Sequence, residues 1–175
     1  MKYLIPAFLT LTILVAGQAY PNYDDDAELE RVIDGDTLET EEDTVRFLGM
    51  DTPETFEFTD NEPEEFGLPD KETSIECLES YGEEATKFVE NHTSESVKLV
   101  DDRKSNERGF YDRRLAYIHG DGDITRKLIV EGYARVYPSE FSRENEFYFW
   151  ETVAKKNDRG LWSCSEHKEL GITQN

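Results

Sequence analysis

The sequence predicts an α+β domain, mainly β, in which five strands close into a small barrel with about three helices packed on it. Three observations carry that expectation. Short segments alternate polar with apolar residues and are rich in β-branched and aromatic side chains, as half-buried strands are. Other segments place their apolar residues at helical spacing instead. Finally, ten Phe, nine Tyr and two Trp give a chain of 175 residues the bulk for a core, although it is only 37% hydrophobic and carries a formal charge of -21. Without those aromatics, such a charge would point to a disordered chain. The length fits one domain with short appendages.

Residues 1–19 stand outside the fold. Lys2 starts a nearly uninterrupted apolar run that ends in the small residues Gly17 and Ala19, the pattern of a secretory signal; an uncleaved N-terminal anchor is the alternative. Cleavage would leave a secreted protein with no stable membrane association. An acidic, mobile lead is expected over 20–28, followed by strands at 29–33, 37–40 and 44–50 in an antiparallel meander that Pro53 ends. Residues 56–81 show no period, and 56–79 hold nine carboxylates against Lys71 alone. That loop either borders a ligand site or is a solvated excursion pinned by Cys77.

Regular structure returns with a helix over 82–91 that presents Ala85, Phe88 and Val89 on one face, and with strands over 96–100 and 115–118. A helix over 124–130 stops at Gly132, a C′ position, and a final strand covers 133–137. The last helix, 142–157, takes Ser142 as N-cap and turns Phe147, Trp150, Val153 and Ala154 to the core. The folded domain is thus 29–164, with a polar tail at 165–175.

In an exported protein, Cys77 and Cys164 are expected to form a disulfide, with two buried thiols as the alternative. There is no CxxC, and His92, His119 and His167 lack zinc-like spacing.

The chemistry concentrates in residues 32–55. Taken singly, each feature there has an ordinary reading: Asp34-Gly35-Asp36 as a turn, Arg46 as a surface residue on a strand, Asp51-Thr52-Pro53-Glu54 as a helix-start or turn signal. Their order is more specific. The IDGDT turn, the arginine on the next strand, DTPE, the GEEATKFVE helix, the RRLAYI strand, the helix leading into GYARV and the closing GLWS together resemble the staphylococcal-nuclease (thermonuclease) family over residues 32–163.

That resemblance implies an OB-fold barrel, bound calcium, and hydrolysis of DNA and RNA phosphodiesters. It places Asp36 and Asp51 as carboxylate ligands of the metal, Thr52 as a ligand through its backbone carbonyl, and Glu54 as the general base. Arg46 and Arg113 match the arginines that hold the scissile phosphate, and Tyr111 resembles a tyrosine that contacts another phosphate. Tyr111 and Tyr137 are open between ligand contact and packing. Asp112 stands where many members carry glycine, and its carboxylate is placed either to pair with Arg113 or Arg114 or to disturb the approach of phosphate.

The residue types suit that chemistry. Calcium takes hard oxygen ligands in irregular geometry. Two guanidiniums match the charge that builds on nonbridging phosphate oxygens, and a glutamate three residues beyond Asp51 can orient or deprotonate a water. A monomer acting on DNA, RNA or both is expected. The competing readings are a noncatalytic module that binds nucleic acid or protein, and a calcium-stabilised envelope domain. Forty acids against nineteen Lys and Arg should repel a polyanion. Because screening shortens from about 10 Å at 0.1 M salt to about 3 Å at 1 M, this composition points to a halophilic, archaeal source working in brine.

Overall fold

In a computed structural model of the chain, residues 24–55 and 63–164 are described. The signal assigned to 1–19, the polar tail 165–175 and part of the acidic loop lie outside them.

Five strands close on themselves. Strand β1 (Asp24–Val32) bends at an irregularity between Leu29 and Arg31, so its first half pairs antiparallel with β5 (Ser96–Val100) and its second half with β2 (Thr37–Thr40). β2 pairs antiparallel with β3 (Thr44–Phe47), and β5 with β6 (Arg114–Gly120). A parallel contact of β3 with β6, Arg46 opposite Leu115, shuts the barrel. This is the OB-fold. Three short strands complete the set: β4 (Met50–Asp51), β7 (Gly122–Asp123) on the end of β6, and β8 (Arg135–Val136) paired with β4.

Alternation along the strands fills the interior with Leu38, Val45, Phe47, Val97, Leu99, Ala116 and Ile118. Helix α2 (Ile124–Glu131) adds Ile124, Leu128 and Ile129, and α3 (Glu144–Lys156) adds Phe147. Each such side chain, fully buried, contributes about 1.5–3 kcal/mol. Gly132 ends α2 in the left-handed conformation, φ 77°, as expected. Among the described residues no helix is long and apolar enough to cross a membrane.

Several expectations need correction. The lead is not mobile over Asp24–Glu28, since those residues form the ladder to β5. The strand expected over 44–50 breaks at Leu48 and Gly49 into β3 and β4. Ser142 does not cap α3; Arg143 holds that position, and the Ser142 N–H and Oγ both donate to Asp102 Oδ2, at 2.7 and 2.5 Å. Tyr117 donates to the same oxygen. Although burial opposes it, these donors hold the Asp102 carboxyl below the usual carboxylate range. A carboxyl lowered by folding stabilises fully above its unfolded pKa and loses that contribution as pH falls through the folded one. Asp102→Asn is therefore expected to flatten the acid limb of a stability-against-pH curve, measured by urea unfolding; a limb as steep as wild type would refute the role.

The largest correction concerns 56–81. A 3-10 turn at Pro63–Phe66 and a long helix, α1 (Glu72–His92), occupy its second half, so the α+β domain holds somewhat more helix than strand. The buried stripe of α1 runs Ser74, Leu78, Gly82, Ala85, Val89, a helical spacing in which a serine and a glycine hide the apolar period. The small positions serve close packing. A Cβ at Gly82 would lie 2.6 Å from the Pro53 carbonyl oxygen, and one at Gly35 would lie 2.6 Å from the Ala85 Cβ. Helix α1 thus presses directly on the backbone that carries Glu54 and Asp36. Gly82→Ala is expected to cost about 1–3 kcal/mol in chemical denaturation, because backbone must move to admit the methyl; an unchanged midpoint would contradict that packing.

Candidate nucleic-acid cleavage site

Three backbone devices bring the acids of the 32–55 segment together. The turn after β1 is closed by the Ile33 and Asp34 N–H groups donating to the Thr37 carbonyl, and Asp34 Oδ1 accepts the Asp36 N–H at 3.0 Å. This turns the Asp36 side chain inward, where it is buried. The β2–β3 ladder then sets Arg46 opposite Thr37, so that Arg46 Nη1 donates to Asp36 Oδ1 at 2.6 Å while Nη2 reaches Asp51 Oδ1. The β4–β8 pair sets Asp51 opposite Arg135, whose Nε donates to Asp51 Oδ2 at 3.0 Å. Arg135 extends the chain of charges to Glu65 and lies over the Phe66 ring.

Burial dominates the electrostatics. It pushes the Asp36 carboxyl up to about 8, with Asp34 and Asp51 adding repulsion and Arg46 working against both. Burial likewise opposes the Arg46 charge, but Asp36, Asp51 and Asp34 more than offset it and raise the guanidinium further. Glu54 is raised as well, first by burial and then by Asp34. Thr52 is buried, and its N–H donates to Asp36 Oδ2 at 3.1 Å.

Barrel closure brings the distant arginine. With Arg46 opposite Leu115, the two-residue period of an extended chain places Arg113, two positions before Leu115, on the Arg46 side. Arg46, Glu54, Arg113, Tyr111 and Tyr137 all line one open cavity of about 750 Å³. The Nε of Arg113 is buried with no hydrogen-bond partner, an unmet donor at the cavity wall. Tyr111 is 92% exposed, with its ring beside Arg113, and Tyr137 is partly exposed beside Arg135.

Asp112 pairs with neither Arg113 nor Arg114. Its carboxylate points to solvent and meets Arg108 at 3.7 Å, and its backbone, φ 59°, takes the left-handed form that glycine adopts readily. Arg114 is engaged elsewhere, with Asp101 at 2.9 Å and Asp25 at 2.8 Å. Of the two adjacent arginines, only Arg113 faces the cavity.

The family described as Staphylococcal nuclease homologue matches residues 44–164. The chain belongs to this family. The match begins after Asp36, whose membership of the site rests on its contact with Arg46. The chain is 34% identical over 151 residues to an uncharacterized protein of Methanocaldococcus jannaschii, covering 78% of this chain and 71% of that one. It is 36% identical over 142 residues to the thermonuclease of Staphylococcus intermedius, covering 77% and 74%. Endonuclease YncB of Bacillus subtilis is 32% identical over 145 residues, covering 78% of this chain but 61% of that protein. These nuclease relatives support a nuclease function for the family member described here.

Two side chains at the site, Arg135 and Phe110, carry no signal in the sequence that places them there. The GYARV motif contains Arg135, but nothing in its spacing tells that β8 will lie against β4 and turn it to Asp51. Phe110 reads as one more apolar residue, and only its exposure singles it out.

The Cys77–Cys164 disulfide is present, its Cα atoms 6.3 Å apart. It joins α1 to the 3-10 turn Gly160–Ser163 beside a second, smaller core of Phe66, Leu68, Leu78, Ala154, Leu161 and Trp162.

Proposed function

We propose that this chain is an exported, monomeric, calcium-dependent phosphodiesterase that cuts DNA, RNA or both within the strand. The observation that carries the reading is the cavity itself, which Arg46, Glu54 and Arg113 line together, beside two carboxylates that converge on one guanidinium. A phosphate is the ligand with the charge and oxygen geometry to meet two guanidinium forks.

The donor set fits a hard divalent cation. Asp36 and Asp51 set carboxylate oxygens on either side of one guanidinium, and such hard oxygens are the donors that a calcium-like ion takes. Asp36, Asp51 and the Thr52 carbonyl would hold calcium, which supplies Lewis-acid charge beside the substrate phosphate.

The chain's own groups do the rest. Glu54, made more basic by burial, takes a proton from the attacking water as its oxygen bonds to phosphorus. The ester P–O bond breaks and the leaving oxygen is protonated from solvent. Arg46 and Arg113 neutralise the charge that builds on the nonbridging oxygens, and Tyr111 and Tyr137 contact the flanking nucleotides. An acidic surface that is well screened only in concentrated salt suits work in brine.

The test is cleavage of denatured DNA and of RNA with calcium or with a chelator, at low and molar salt, beside Glu54→Gln and Arg46→Ala. Calcium-dependent cleavage that both substitutions abolish, and that rises with salt, is the expected result. Equal cleavage by the variants would place the activity elsewhere. Activity that peaks at low salt and declines steadily to molar salt would remove the brine reading alone.

A further inference from the structure

Among the described residues, five large hydrophobic side chains are exposed, and three of them, Phe110, Tyr111 and Tyr137, line the arginine cavity. The other two, Tyr148 and Phe149, lie on α3 and do not. Phe110 is 85% exposed although it is wholly apolar and flanks a cavity with room to receive it. Side chains of this kind are normally withdrawn from water.

The backbone holds them out. Tyr111 and Asp112 both stand in the left-handed region, φ 61° and 59°, a conformation rare for single non-glycine residues and rarer in succession. Strain of that sort persists only where surrounding contacts impose it. Here Arg108 imposes it: its Nη1 donates to the Asp112 carbonyl at 2.7 Å and to Asp43 Oδ1 at 2.8 Å, while the Gly109 N–H donates to the Arg113 carbonyl at 2.9 Å. The loop's entry is also tied to the start of β6, which Arg113 immediately precedes, by the Arg108–Arg114 bridge and the Leu115 N–H donating to the Glu107 carbonyl at 3.0 Å. An aromatic pair is therefore displayed next to a phosphate-binding group, with the Tyr111 ring centroid 5.8 Å from the Arg113 guanidinium carbon.

We propose that Phe110, with Tyr111 beside it, is a stacking platform for an unpaired nucleobase at the rim of the cavity, a specificity-determining position of this chain's site. The occupant follows from three features. A benzyl side chain offers no hydrogen bond, so its ligand presents a flat apolar or π face; the adjoining arginines require that ligand to carry phosphate; and bases become accessible to both only when they are not paired. The net charge of -21 adds the reason for such a device. Coulomb attraction does not recruit a polyanion to this protein as it does to basic binders, whereas stacking does not depend on opposite charge and persists in salt.

The inference takes its occupant from the nuclease reading, and binding in a chelator separates the two. The whole folded protein is titrated in EDTA with a fluorescent single-stranded oligonucleotide, with an abasic strand of the same number of phosphates, and with a duplex. Wild type, Phe110→Ala and Phe110→Tyr are compared at 0.1 M and 1 M salt. Phe110→Ala is expected to weaken binding of the base-bearing strand by roughly 5- to 150-fold, the range of one aromatic–base stack. It should leave the abasic strand and the duplex unaffected, and the ratio to wild type should persist at both salts. Phe110→Tyr should restore binding. Equal binding of the base-bearing strand by wild type and Phe110→Ala, or equal losses on the base-bearing and abasic strands, would overturn the platform. Discrimination by Phe110 without any cleavage in calcium would leave the platform standing and refute hydrolysis.

Discussion

Arg113→Ala is expected to lower kcat on denatured DNA by on the order of 10³-fold while leaving the urea midpoint almost unmoved. The two halves of that expectation have separate causes. Arg113 makes no ion pair among the described residues and leaves a buried Nε without an acceptor, so deleting the side chain removes an unmet donor and orphans no carboxylate. What is lost is the stabilisation of the charge that builds on the nonbridging oxygens of the phosphate toward the transition state. Arg46 gives no such separation. Its guanidinium neutralises both Asp36 and Asp51, and its removal leaves Asp36 without that counter-charge and Asp51 with Arg135 alone. Arg113→Lys should recover only part of the rate, because one ammonium cannot bridge two oxygens as a fork does. A kcat within a factor of three of wild type in Arg113→Ala would remove Arg113 from the chemistry.

The second large effect is on stability. Replacing Cys77 and Cys164 by alanine is expected to cost about 4 kcal/mol, since the bond closes a loop with a sequence separation of 87 in the unfolded chain. The loss should be uneven. The disulfide sits against the smaller core of Leu78, Ala154, Leu161 and Trp162, whereas the barrel interior belongs to the other cluster. Hydrogen exchange should therefore show the first turns of α1 and the Gly160–Ser163 turn opening well below the barrel strands. A uniform loss of protection over the barrel would mean that the two cores unfold as one unit. An unchanged midpoint in reductant would mean that the loop constraint contributes nothing.

The OB-fold and most of its elements were legible in the sequence because their periods are clean. β3 and β5 alternate, α2 ends where Gly132 must, and the IDGDT and DTPE motifs stand in family order. Legibility failed where polar residues occupy structural positions. Ser74 and Gly82 on the buried stripe of α1 concealed ten residues of helix, and the acids at 24–28 concealed the first half of β1, whose apolar partners come from a strand about seventy residues on. Ser142 looked like a helix cap because local sequence cannot show that Asp102 will claim it.

The chain composition and the order of its motifs by themselves determine the family, the pair of cysteines that can bridge, and the residue types available to the site. Only the tertiary structure decided which of those residues meet. The parallel closure of β3 on β6 brings Arg113 to Arg46 across more than sixty residues, the β4–β8 pair supplies Arg135 to Asp51, and the clamp from Arg108 holds Phe110 and Tyr111 outward. Side-chain identity is local information, but strand register and the direction of a strained turn depend on contacts between segments remote in sequence. Those contacts settled that Asp112, a carboxylate placed to block either arginine, turns to solvent and Arg108 and leaves Arg113 facing the cavity.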